Sequence, residues 1–206
     1  MKLYLTSNGL EDRYVADYFR KIVLSEDLEN TSFLIVSVQD SESDSFYLQK
    51  TKDELRRIGA VDIDVFELRD KEFVTTKEYD VIYVCGGNTF AYLDRIKRTG
   101  LDEFITNSVR SNRSIYVGVS AGSIVAGPDI ELSGWGSNGD TNDIGLKDLK
   151  GLGLTDVLTY PHYSIQEEEG LKEFEKQNGY KIMRLTDSQA LFIDNDAISI
   201  VSQSIQ

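Results

Sequence analysis

The chain has 206 residues, 40% of them apolar and 28% charged, which is enough to bury one substantial core and ordinary for a globular domain. A net charge of −13 repels phosphate backbones and argues against nucleic acid as a partner. No apolar run approaches the roughly 18–20 residues that span a bilayer, which argues against a membrane-embedded protein.

In chain order, Leu3–Ser7 reads as a first core strand closed by the turn signal Ser-Asn-Gly. Leu10, Tyr14, Tyr18 and Ile22, flanked by Val15 and Phe19, show helical spacing. Phe33–Val38 is a near-continuous β-rich run, as expected of a strand covered on both faces. Residues 44–58 read as a helix, and Val61–Leu68 alternates like a strand nearer an edge. Val81–Cys85 is a further buried strand that stops at Gly86-Gly87-Asn88. Thr89 is placed to cap a helix running to about Arg98, followed by a helix over Leu101–Val109. Ile115–Val119 is the next strand and runs directly into Ser120-Ala121-Gly122-Ser123. Residues 133–145 form a long turn-rich stretch, of the kind that is usually functional or mobile in a compact domain. Glu167–Gln177 reads as helical, and Ile182–Leu185, Ala190–Ile193 and Ile198–Val201 as closing strands. The alternation predicts an α/β fold over residues 1–206. It is expected to be a three-layer, doubly wound, mostly parallel sheet with helices on both faces.

Gly118-Val119-Ser120-Ala121-Gly122 has the pattern G-x-S-x-G. A nucleophile elbow needs this spacing because the serine sits on a strained strand-to-helix turn whose neighbours must pack closely. Here the pattern follows an apolar strand and opens a helix, which is the setting it requires; the competing reading is a phosphate-binding or merely packed turn. Sheets of this kind bind ligands at the carboxyl ends of their strands. The N–H groups after Gly86 could therefore join that of Ala121 in an oxyanion hole, or simply turn the chain into the next helix. His162, in Tyr160-Pro161-His162-Tyr163, is the only histidine and thus the only imidazole available to a serine nucleophile. Cys85 is the only cysteine, which excludes an intramolecular disulfide and a multi-cysteine zinc site and fits a reducing, cytoplasmic setting. The opening MKLYLTSNGL is too short and too quickly polar for a signal peptide.

Taken together, Val84-Cys85-Gly86-Gly87-Asn88-Thr89-Phe90, Gly118-Val119-Ser120-Ala121-Gly122 and Pro161-His162-Tyr163 resemble the peptidase E family of serine peptidases, in order and in spacing over residues 80–165. The resemblance implies a fold like that of class I glutamine amidotransferases, which carry cysteine at the elbow. It implies Ser120 as nucleophile, His162 as general base, Gly87 and Ala121 as oxyanion donors, and no cofactor or metal. It also implies an acidic partner between serine and histidine. Counting from the serine reaches Trp135, and counting back from His162 reaches Asp140, with Asp143, Asp129 and Glu131 as rivals. Aspartyl-specific members hold the substrate carboxylate with an arginine soon after the histidine. Residues 163–183 contain only Lys172, Lys176 and Lys181, with Gln166-Glu167-Glu168-Glu169 adding negative charge, so strict aspartyl specificity is not expected. The expected function is hydrolysis of dipeptides or short peptides, with a homodimer left open. A small-molecule esterase or amidase, or a non-catalytic binding module, are the alternatives.

Overall fold

The computed structural model describes residues 1–25, 28–39, 41–69, 71–136 and 139–203. The apolar runs become strands of one seven-stranded sheet: β1 (Lys2–Thr6), β2 (Ser32–Ser37), β3 (Asp62–Glu67), β4 (Val81–Val84), β5 (Ile115–Val119), β8 (Ala190–Asp194) and β9 (Ala197–Val201), in the order β3-β2-β4-β5-β1-β8-β9. From β3 to β1 the pairing is parallel; β8 and β9 close the sheet antiparallel. All four residues of β4 are buried, whereas β3, at the edge, is exposed or half-buried along its length. That contrast is what a continuous apolar run and an alternating one predict.

The chain first moves outward in one direction, β1 to β2 to β3, and later from β4 to β5 in the opposite direction. Right-handed crossovers then place α1 (Arg13–Tyr18) and α2 (Glu42–Ile58) on one face and α3 (Thr89–Arg98) and α4 (Leu101–Arg110) on the other. Three layers result, as the sequence implies. Asp12 caps α1, which runs on into a π-helical turn over Phe19–Val23. Ser41 and Asp44 form a capping box on α2, which ends at Gly59 with φ of 108°. On α3 the capping side chain is Asn88, which accepts from the Ala91 N–H, so the cap falls one residue before the expected Thr89.

Two findings depart from the sequence reading. Ile182–Leu185 does not join the main sheet: β7 (Ile182–Arg184) pairs in parallel with β6 (Leu158–Tyr160) in a separate two-stranded sheet. With α6 (Glu168–Asn178) this sheet encloses a small core of its own, Leu132, Leu158, Leu171, Phe174 and Ile182. An apolar run can satisfy its burial in either place, so periodicity alone does not choose. Second, the turn-rich stretch 133–145 folds back on the site: Asp140 N–H bonds to Ser133 O, and Asn88 donates to Thr141 O. Ser137 and Asn138 lie outside the described residues.

Candidate active site

The register Val84↔Gly118, Leu5↔Gly118 and Thr6↔Val119 brings the carboxyl ends of β4, β5 and β1 side by side. Ser7, Gly86-Gly87 and Ser120 therefore meet at one end of the sheet, where open α/β folds bind ligands. Ser120 lies between β5 and α5 (Ala121–Val125) at φ 49° and ψ −111°. A non-glycine residue in such a conformation costs of order 1–3 kcal/mol and persists only where its surroundings enforce it. The enforcement is steric. A Cβ on Gly118 would stand 2.6 Å from Gly122 O, and one on Gly122 would stand 2.1 Å from Val84 O. Ser120 N–H is tied to Thr6 O at 3.0 Å, and Ser123 Oγ donates to the same carbonyl at 2.8 Å.

His162 leaves the two-stranded sheet at φ 56°. Leu185 N–H bonds to Tyr160 O and Tyr163 N–H to Leu185 O, which fixes the backbone on both sides of it. Its Nε2 stands 3.0 Å from Ser120 Oγ, and its Nδ1 2.7 Å from Asp187 Oδ1. Asp187 sits on the turn after β7, closed by Gln189 N–H to Thr186 O and by Thr186 N–H to Gln189 Oε1. Ser7 joins the three: its hydroxyl donates to Asp187 Oδ1 at 2.6 Å, accepts the His162 backbone N–H at 2.7 Å and lies 3.3 Å from Nδ1. Burial pushes the Asp187 carboxyl up, but the hydrogen bonds from Ser7 and His162, helped by the charges of His162 and Lys50, outweigh it and hold the group below the usual carboxylate range.

Of the carboxylates singled out from sequence, none reaches His162. Asp140 Oδ2 accepts from Thr89 N–H at 2.8 Å and from Thr89 Oγ1 at 2.6 Å. Its position is explained by the first turn of α3, whose N–H groups have no intrahelical acceptor and favour an anion. Asp143 accepts from Thr141 Oγ1, Asp129 from the Glu131 N–H, and Glu131 is exposed at the start of a 3₁₀ turn. The assignment of Asp140 beside His162 is thus corrected: Asp187 holds that place, 25 residues after the histidine. Trp135 packs edge-on against Phe174, ring centres 5.3 Å apart. Ser7 and Asp187 were both missed from sequence. The available signal was positional, since each follows the carboxyl end of a strand.

Gly87, at φ 148°, has Tyr92 beneath it; a Cβ there would stand 2.6 Å from the Tyr92 ring. Ala121 opens α5, so its N–H has no acceptor within the helix. Cys85 is buried, and that burial pushes its thiol up to about 12, which leaves no thiolate to compete with Ser120 at neutral pH. Gly87, Ser120 and His162 form the ridge between two clefts. The larger, about 310 Å³, runs between Tyr47 and Lys50 of α2 and a floor of Glu54, Tyr83 and Cys85. The smaller, about 140 Å³, is walled by Trp135, Tyr160, Asp140 and Glu167. Among the described residues no lysine or arginine lines the smaller cleft, and Arg184, one residue beyond the segment 163–183, is committed to Glu168 and Glu175. Among the described residues there is no cluster of side chains fit to hold a metal ion, and no helix is long and apolar enough to cross a membrane.

The chain resembles known proteins over most or part of its length. A crystal structure of a candidate peptidase E protein from Listeria monocytogenes EGD-e superimposes with a TM-score of 0.79 over 98% of both chains, at 26% identity. An uncharacterized peptidase of Listeria innocua is 35% identical over 123 residues, 58% of this chain and 57% of the relative. Peptidase E of Streptomyces coelicolor is 30% identical over 132 residues, 58% of this chain and 51% of the relative. The chain thus spans little more than half the length of these two curated relatives. The sequence profile of peptidase family S51 matches residues 3–201, nearly the whole chain, and on that match and this fold the chain belongs to peptidase family S51.

Proposed function

We propose that the protein is a serine peptidase that releases the first residue of dipeptides or short peptides through an acyl-enzyme. The observation that carries this reading is the continuous relay from Ser120 Oγ to His162 Nε2 at 3.0 Å and from His162 Nδ1 to Asp187 at 2.7 Å. Ser120 Oγ attacks the scissile carbonyl carbon while Nε2 takes its proton, and the carbonyl oxygen becomes an oxyanion. The N–H groups of Gly87 and Ala121 are the donors that the elbow geometry offers to that oxygen. The imidazolium then gives its proton to the leaving amine as the C–N bond breaks. Water attacks the ester, His162 takes the water's proton, and its return to Ser120 Oγ frees the acid. Asp187 keeps Nδ1 protonated and so leaves Nε2 free as the base. Ser7 fixes Asp187 and the His162 backbone together.

The acidic walls of the smaller cleft, Asp140 and Glu167, suit the free α-ammonium of a substrate, and the absence of a lysine or arginine among the described residues there leaves an aspartate side chain unpaired. The first residue is therefore neutral or basic rather than aspartate. The test is a dipeptide panel together with a fluorophosphonate probe. Labelling of Ser120 with turnover of Ala-Leu or Lys-Leu, and less of Asp-Leu, is the expected result. Labelling with turnover of short-chain p-nitrophenyl esters but of no dipeptide would replace the peptidase reading with that of an esterase. A folded protein that does not label would point to a binding module.

A further inference from the structure

Among the described residues three buried side-chain oxygens lack a hydrogen-bond partner, and two of them, Glu54 Oε1 and the Tyr83 hydroxyl, belong to residues that line the larger cleft beside Ser120. Glu54 is 7% exposed and Tyr83 0%. Both side chains converge under Gly9, where the backbone passes at φ 66°. A Cβ on Gly9 would come within 2.8 Å of Glu54 Oε2 and 3.0 Å of the Tyr83 oxygen. Glu54 Oε2 is satisfied by the Leu10 N–H at 2.9 Å, but Oε1 has only the Lys50 ammonium, at the marginal distance of 3.9 Å. Lys50 is itself committed elsewhere, to Glu11 at 2.5 Å and to Asn8 at 3.1 Å. Buried polar groups without partners cost about 1–3 kcal/mol each, so a pair of them in a substrate cleft calls for a ligand group that completes them.

We propose that the larger cleft is a subsite for a substrate residue with a carboxamide side chain, glutamine or asparagine; this rests on the peptidase reading above. A carboxamide offers an N–H₂ donor and a C=O acceptor from two adjacent atoms. Glu54 and Tyr83 supply the complementary acceptor and O–H donor. The match survives a change of protonation. Burial raises the Glu54 carboxyl above its ordinary range, and when Glu54 is protonated it donates to the carboxamide oxygen while the tyrosine oxygen accepts the N–H. An ammonium meets the like charge of Lys50 at the cleft wall, a carboxylate meets that of Glu54, and an apolar side chain leaves both oxygens unpaired. Entry of the carboxamide requires the Lys50 side chain, which lies along the Glu54 carboxylate, to swing aside on its flexible stem. At about 310 Å³ the cleft is at the lower end of the range for small-molecule sites.

The experiment compares kcat/KM for Ala-Gln, Ala-Met and Ala-Lys, and for Gln-Ala, Met-Ala and Lys-Ala, in the wild-type protein and in Tyr83→Phe. At one of the two positions the wild type is expected to prefer glutamine over methionine and lysine by about tenfold or more. In Tyr83→Phe the Gln/Met ratio is expected to fall towards one. Tyr83→Phe also removes a hydroxyl unpaired in the free protein, so its Tm should equal or exceed that of the wild type. The same peptides titrated calorimetrically into Ser120→Ala read the subsite without turnover. Tighter binding of the glutamine peptide there, in the absence of wild-type hydrolysis, would keep the subsite and discard the peptidase reading. Hydrolysis with no glutamine preference at either position, or a preference for lysine, overturns the subsite and leaves the peptidase reading standing.

Discussion

The Ser120 elbow and the arm that carries His162 and Asp187 reach the same point by different means. The elbow is local: one strand, one residue at φ 49° and one short helix, locked because Gly118 and Gly122 have no room for a Cβ. The arm is assembled from afar. His162 and Asp187 come from two segments held by the β6–β7 pair, and Ser7, 155 residues from the histidine, joins them. The place of Ser120 is thus specified by a pentapeptide, whereas the places of His162 and Asp187 are specified by which strands pair. Substitutions on the two sides should fail differently.

The largest effect belongs to the elbow. Ser120→Ala should lower kcat by about 10⁴-fold or more, with the Tm unchanged within error, because it deletes one hydroxyl and leaves the glycine packing intact. Steady-state kinetics with a thermal melt checks both halves, and full activity in the purified variant would remove Ser120 from the mechanism. On the arm, Asp187→Asn should cost about 10³–10⁴-fold in kcat by releasing the histidine tautomer, while Asp140→Asn should leave kcat within about threefold and act mainly on KM, since Asp140 bonds to Thr89 and faces the smaller cleft rather than His162. The two variants assayed side by side decide between the carboxylates. Because Asp187 is held below the usual carboxylate range, the acid limb of wild-type activity within or above that range should not report its titration.

Ser7→Ala should reduce kcat by about tenfold with a smaller change in KM, since the charge-assisted hydrogen bond it removes is made to Asp187. Ser7→Thr should recover much of the loss, and the low-field proton resonance of the His162 Nδ1–H should shift in the alanine variant and return in the threonine one. An unshifted resonance would reduce Ser7 to a packing role. The smallest effect is in stability. Glu54 is raised by burial, so the folded protein holds a proton there that the unfolded chain releases. Stability should therefore fall as the pH rises from the ordinary glutamate value of about 4.3 through the raised value, and Glu54→Gln should flatten that slope in denaturant titrations.

Legibility followed range in the same way. Strands such as Phe33–Val38 and Val81–Cys85, the helices α2 to α4 and the elbow at Ser120 were readable because each is written in neighbouring residues: apolar period, cap and close-packed glycines. His162 was readable because no other imidazole exists. The acid was not. Counting along the chain led to Asp140, which the first turn of α3 holds through Thr89. Likewise the run Ile182–Leu185 carries the apolar pattern of any closing strand, yet it pairs with β6 and so delivers Asp187 to the histidine. By itself, then, the sequence determined the α/β alternation and singled out Ser120 and His162, since an elbow is encoded within a few residues and a single histidine leaves no alternative. Only the tertiary structure decided the carboxylate beside His162, the brace at Ser7 and the two unpartnered oxygens of Glu54 and Tyr83 under Gly9, because each depends on contacts between segments whose separation in sequence carries no information about their distance in space.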